Sequence, residues 1–292
     1  MKKSLTYKLF IYSFLFSSGA MGASYDLFEQ KEADGLDFNA VIFPKEAGGK
    51  SQYFEVYNQQ TDSTTRAEID GVLSLIKQKR HKEAADKITF LMEKYPHYPE
   101  FFNLRGLLET LNNKNNLAIK SYQQALDIDE GNLQANLALA RIFLRSGDVE
   151  KAKNYANKAL TYHNGAVQVY LQLAEIAKKE KKINEIESFL LEAKKKSNGK
   201  GEIEVAVVFS LVKFYLSQNN IEASTRLSDE LVSQYSDNVK ALSLQAGVQI
   251  QREEKQKAIN TIGKLISLDK SNIRFRLLLI NLLLNEEPIQ KE

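Results

Sequence analysis

Residues 99–128 read PEFFNLRGLLETLNNKNNLAIKSYQQALDI, and the spacing within them decides the fold. Apolar side chains recur at helical intervals, first around Phe101-Phe102-Asn103-Leu104-Arg105-Gly106 and again around Tyr122-Gln123-Gln124-Ala125-Leu126. Setting the chain against itself at an offset of 34 residues makes small residues coincide: Ala84, Ala118 and Ala152 fall one period apart. So do Leu91, Ala125, Ala159 and Ala193, and, after a four-residue insertion near Gly201, Leu231 and Leu265. The insertion lies within residues 194–204, whose lysines and glycines predict a longer turn there. Two helices of a hairpin approach within about 8–10 Å only where their side chains are short, so recurring alanine and glycine mark the crossings.

This spacing and choice of residues resemble the tetratricopeptide (TPR) repeat. Phe102, Gly106, Ala118, Tyr122 and Ala125 fit that family's pattern, and Leu139-Ala140, Gly147-Asp148, Ala152 and Ala159-Leu160 form a second clear unit. Departures are Glu130 and Asn164 where the family often has proline, kept here only as Pro96, and Ile186 and Ser224 in place of alanine. The resemblance implies an all-α, right-handed solenoid of antiparallel helix pairs over residues 65–285, in six units: 65–98, 99–132, 133–166, 167–200, 205–238 and 239–272. A seventh first helix follows. Its core, Phe275 to Leu284, is apolar along one side, and three covers are open to it: packing on unit six, the charged tail 286–292, or a second copy or partner.

The N-terminal part differs. Lys2, Lys3 and Lys8, an apolar stretch from Leu9 to Phe16 and the small residues Ser17 to Ala23 read as a signal peptide spanning 1–23, with an ordinary N-terminal helix or a retained anchor as the alternative. Residues 24–64 then form an acidic, non-helical arm. From Ser24 to Thr65 there are eight acids and three lysines, and the β-prone runs Phe38–Phe43 and Gln52–Tyr57 flank Pro44, Gly48 and Gly49 as in a hairpin with a long loop. Gly49-Lys50-Ser51 has the ending of a phosphate-binding loop, but Pro44 stands where its first glycine belongs and a strand rather than a helix follows, so a plain loop is the reading.

Charge and composition narrow the function. The chain has 40 Lys+Arg and 37 Asp+Glu, and removing residues 1–23 leaves the two equal, which disfavours a nucleic-acid binder needing surplus cations. Beyond the N-terminal segment nothing approaches about 18 continuous apolar residues, so no membrane span is expected in the mature chain. There is no cysteine, which excludes thiol nucleophiles and disulfides and suits an oxidising compartment. His81, His97 and His163 fall at or near turns without metal-ligand spacing, and Asp127, Asp129 and Glu130 sit at a helix end. No catalytic residue, cofactor or metal site is expected. The protein is read as not an enzyme.

Binding is the expected activity, because stacked helix pairs offer an extended concave surface, lined in the resembling family mainly by the first helix of each pair. The candidate residues are Gln134, Arg141, Arg145, Gln168, Glu175, Lys178, Lys179 and Lys213, a mildly basic groove suited to an acidic peptide or an anionic glycan. A solvated lysine-rich face is the bland alternative. The acidic arm folding back onto this groove is a further expectation. Together these point to a periplasmic or secreted scaffold or adaptor for other envelope proteins, in pilus, polysaccharide-export or surface assembly. The alternative is a regulatory adaptor presenting substrates to an envelope protease or cell-wall enzyme.

Overall fold

A computed structural model describes residues 63–284, which form thirteen α-helices with no strand among the described residues. They are α1 (Ser63–Lys77), α2 (His81–Lys94), α3 (Pro99–Leu111), α4 (Asn115–Ile128), α5 (Leu133–Ser146), α6 (Val149–Tyr162), α7 (Val167–Lys179), α8 (Ile183–Ser197), α9 (Glu202–Ser217), α10 (Ile221–Gln234), α11 (Val239–Gln251), α12 (Lys255–Leu268) and α13 (Ile273–Leu284). The expected signal peptide, the acidic arm through residue 62 and the charged tail lie outside the described residues.

Connections of two or three residues join α1 to α2, α3 to α4 and so on, and four residues join each pair to the next. Contacting helices linked so tightly must run antiparallel. The result is six helical hairpins followed by α13, the architecture the 34-residue spacing implied. One detail differs. The four extra residues near Gly201 do not lengthen the turn: residues 198–201 make a connection of the usual four. They lengthen the helices instead, to 15 residues in α8 and 16 in α9. Lys194, Lys195 and Lys196 suit the last turn of α8, where cations meet the negative end of the helix dipole, and Glu202 and Glu204 suit the first turn of α9.

The helices divide into two compact units, residues 63–196 and residues 197–284. In the first, α1 touches α3 and α5 touches α7 directly. Its core is built from Ile69, Val72, Ile88, Phe101, Leu104 and Leu107 at one end, and from Leu137, Val169, Leu173 and Ile176 around Ala140, Ala152, Ala156 and Ala159 further on. In the second unit α9 touches α11, and Leu211, Val212, Leu231, Leu244, Ile262, Leu265 and Phe275 are buried. Every small residue that the 34-residue offset aligned is fully buried: Ala84, Ala118, Ala125, Ala152, Ala159 and Ala193. At Gly106 the reason is geometric, since an added Cβ would lie 2.8 Å from the ring of Tyr122. Ser224 fits an alanine position because its hydroxyl donates back to the Asn220 carbonyl at 2.9 Å, leaving no buried polar atom unsatisfied.

The first-to-second helix turns share a backbone device. Lys79, Asn113, Lys181, Asn219 and Glu253 all have φ between 57° and 63°, and Gly147 takes the same place with φ 86°. A left-handed residue there reverses the chain within three residues. Asn132, Asp148, Asn220 and Asn238 cap the helices that follow, each accepting a backbone N–H of the first turn.

Candidate partner-binding surface

The candidate residues of the first unit lie on two neighbouring first helices. Gln134, Arg141 and Arg145 project from α5, and Gln168, Glu175, Lys178 and Lys179 from α7, which touches it. Arg145, Lys178 and Lys179 are exposed, and Gln134, Arg141, Gln168 and Glu175 are half-buried. Lys213 is half-buried on α9 and belongs to the second unit.

These side chains are not equivalent. Glu175 holds Lys178 at 3.7 Å, so one cation of the four is partly compensated. Arg141 sits against the buried Tyr122; burial pushes its guanidinium down to about 10, the Arg145 charge pushes the same way, and Tyr122 opposes both. It remains cationic at neutral pH. Two guanidinium groups one helical turn apart raise each other's electrostatic energy, and an arriving anion relieves that repulsion. The exposed cations of α5 and α7 are therefore Arg145, Lys178 and Lys179, which with the half-buried Arg141 make a cationic ridge holding one acid, Glu175.

A polar network beside the ridge was not legible in the sequence. Asn103, buried on α3, donates to Asn132 Oδ1 at 2.9 Å, and the same oxygen caps α5 by accepting the Ala135 N–H at 3.1 Å. Asn136, fully buried, donates to the carbonyls of Glu130 and Asn132, both at 3.0 Å. His163 Nε2 donates to the Gly131 carbonyl at 2.7 Å. Glu130 meets Lys158 at 3.1 Å. The turn 129–132 is thus tied to α3 before it and to α6 and the turn after it. The signal was the run of asparagines at 103, 132 and 136, but nothing in the spacing says that they face one another.

Three other features bear on chemistry. His81 Nδ1 lies 2.8 Å from Asn112 Oδ1, and His97 is exposed in the turn before α3, so the histidines stand at turns as expected. Among the described residues no group of three or more His, Asp or Glu is placed to hold a metal ion, and no helix is long and apolar enough to cross a membrane. A shallow polar hollow runs along α6 from Glu150 to Thr161, lined by that helix alone.

Residues 110–159, from the last two residues of α3 through most of α6, match the tetratricopeptide repeat model. The fold is a TPR fold. Solved structures agree with it. The P. aeruginosa pilF structure superposes with a TM-score of 0.55 at 14% identity, covering 74% of this chain and 96% of that one. PilW, described as a widely conserved type IV pilus biogenesis factor, gives 0.57 at 14% identity over 75% of this chain and all of its own. A TPR protein from Parabacteroides merdae gives 0.52 at 14% identity, covering 90% of this chain and 100% of that one. No curated protein matches the sequence. At such identities the likeness is one of fold, and a fold by itself assigns no function.

Proposed function

We propose that this TPR protein is a non-catalytic adaptor of the bacterial cell envelope, exported by its N-terminal signal segment, which holds partner proteins against the exposed first helices of residues 63–196. The single observation that carries the reading is the cationic ridge on adjacent helices, Arg141 and Arg145 on α5 beside Lys178 and Lys179 on α7. Lys179 and Arg145 make no ion pair among the described residues, and an acidic peptide segment supplies the missing carboxylates through charge-assisted hydrogen bonds. Export rests on the cationic, apolar and small-residue succession of residues 1–23, and the absence of cysteine suits that compartment. The pilus-related structures that share its fold make pilus assembly one setting for such an adaptor, beside polysaccharide export and surface assembly.

Crosslinking of the native protein in intact cells, followed by mass spectrometry, tests this directly. The expected result is a mature N-terminus near residue 23 and crosslinks from α5 and α7 to envelope proteins with acidic segments. The triple reversal Arg145→Glu, Lys178→Glu and Lys179→Glu, all at exposed positions, should remove those crosslinks while leaving the helical circular dichroism unchanged. Undiminished capture by the triple variant removes the ridge from the interface, and an uncleaved cytoplasmic chain overturns the envelope assignment.

A further inference from the structure

The sequence holds two Asn-Gly pairs, Asn164-Gly165 and Asn198-Gly199, which stand one 34-residue period apart in successive connections between hairpins. Both pairs are exposed. In such a pair the backbone nitrogen that follows the asparagine can attack the side-chain amide, because glycine has no Cβ to hinder its approach. The attack needs a nitrogen that is not already committed to an acceptor. On that point the two pairs differ.

The connections between hairpins share one turn. The His163 carbonyl accepts the Ala166 N–H at 3.0 Å across Asn164 and Gly165, as the Asp129 carbonyl accepts the Asn132 N–H at 2.9 Å, Ser197 the Lys200 N–H at 2.9 Å and Asp269 the Asn272 N–H at 3.2 Å. In the last three of these a carboxylate takes the N–H of the turn's third residue. Gly131 donates to Asp129 Oδ1 at 3.1 Å, Gly199 to Glu204 Oε2 at 2.7 Å and Ser271 to Asp269 Oδ1 at 3.2 Å. At Gly165 the place of Asp129 is held by His163, whose ring turns away to the Gly131 carbonyl at 2.7 Å. Among the described residues the Gly165 N–H therefore makes no hydrogen bond, and neither does the side-chain amide of Asn164. The carboxylate of Glu204 guards Asn198-Gly199, and Asn164-Gly165 has no such guard.

We propose that Asn164 is a modification site, at which the folded chain converts its own asparagine into aspartate and isoaspartate. The Gly165 nitrogen attacks the side-chain carbonyl carbon of Asn164, a C–N bond forms and closes a succinimide ring, and the side-chain nitrogen leaves as ammonia with the proton that the Gly165 nitrogen loses. Water then opens the ring. Addition at the side-chain carbonyl restores the ordinary backbone with aspartate at 164, whereas addition at the main-chain carbonyl leaves the chain running through Cγ and frees the main-chain carboxylate. Either product sets a negative charge just ahead of α7, whose N-cap, Ala166, supplies no side-chain acceptor. Isoaspartate also adds a backbone carbon to the connection between α6 and α7 and turns the Asn164 carbonyl, which accepts the Tyr170 hydroxyl at 2.8 Å, into a carboxylate. The site is independent of the ridge on α5 and α7, and the modified fraction records the age of the chain.

The test incubates the full chain, folded, in mildly alkaline water labelled with heavy oxygen, and follows aspartate and isoaspartate at 164 and 198 by peptide mapping and mass spectrometry. Circular dichroism confirms that each variant is folded. Asn164 should convert about tenfold faster than Asn198 or more, the factor that corresponds to first breaking a hydrogen bond to a charged acceptor. Each product should carry one heavy oxygen atom, and in urea the two rates should converge. Gly165→Ala, at a position where an added Cβ meets nothing within 4 Å, should stop conversion at 164. His163→Asp, which supplies the acceptor that Asp129 gives Gly131, should slow it several-fold. An Asn164 that stays intact in the folded chain while the urea-unfolded chain converts overturns the proposal, as do equal rates at 164 and 198 in the folded chain. An unchanged rate in His163→Asp overturns the part played by the open N–H.

Discussion

At the turns, single residues carry conformational cost that the sequence does not advertise. Lys79, Lys181 and Glu253 hold the same left-handed conformation as Gly147, and an L side chain with a Cβ tolerates it poorly. Lys181→Gly and Glu253→Gly should each raise stability by about 0.5–1 kcal/mol, read as a higher urea midpoint; the same change at Asn113 or Asn219 should gain less, because asparagine accepts the conformation. Gly106→Ala should go the other way. Helix propensity alone favours alanine by about 1 kcal/mol, but the new Cβ would lie 2.8 Å from the ring of the fully buried Tyr122, so a net loss of about 1–2 kcal/mol is expected. Glu100 supplies a pH signature. Burial raises its carboxyl above the ordinary value of 4.5, helped by the nearby Asp129 charge and opposed by a backbone N–H. The folded state therefore holds this proton more tightly than the unfolded one, and the stability so gained is complete below 4.5 and lost as pH rises through the folded value. Glu100→Gln should stabilise the protein at pH 7 and make little difference at pH 4 in thermal melts.

At the level of helices, what was legible is what repeats. The hairpins and their crossings followed from alanine and glycine at one spacing, because a close backbone approach admits few residue types. Replacing Ala118 or Ala152 by Leu should cost about 1–3 kcal/mol through overpacking, since both are fully buried against the partner helix; a thermal shift under one degree would show that the crossing yields. Polar tethers were less legible, because an asparagine suits a cap, a turn or a core equally well. Asn132→Ala removes both the cap of α5 and the bond from Asn103, and about 1–3 kcal/mol should go with them. Of the candidate surface the structure gives the placement of the side chains and no more. The first-helix positions of Arg145, Lys178 and Lys179 come out exposed, whereas Arg141 is drawn down beside Tyr122, a contact set by the hairpin before it and invisible to a helix-by-helix reading.

For the whole chain, charge and length set the larger behaviour. Residues 24–65 carry five net negative charges and residues 66–292 five positive, and on the proposed reading partner capture by Arg145, Lys178 and Lys179 is an electrostatic matter. Raising salt from about 0.1 to 1 M shortens the screening length from ~10 to ~3 Å, so pull-down yield should fall steeply over that range for the wild type and hardly at all for the triple ridge variant. The division into two compact units, between residues 196 and 197, falls within the insertion that breaks the 34-residue pattern, although the pattern gave no reason to expect a division there.

The place where that insertion went has a consequence of its own. One surplus residue extends the end of α8 and three precede the first regular position of α9. Because the growth falls at helix ends, every later side chain keeps its bearing around its own axis, and the sequence after Glu204 resumes its beat late but in phase. A gene coding for such an array can thus gain or lose codons at this corner and still specify the same downstream contacts, which makes it the natural spot to splice in a tag or a reporter.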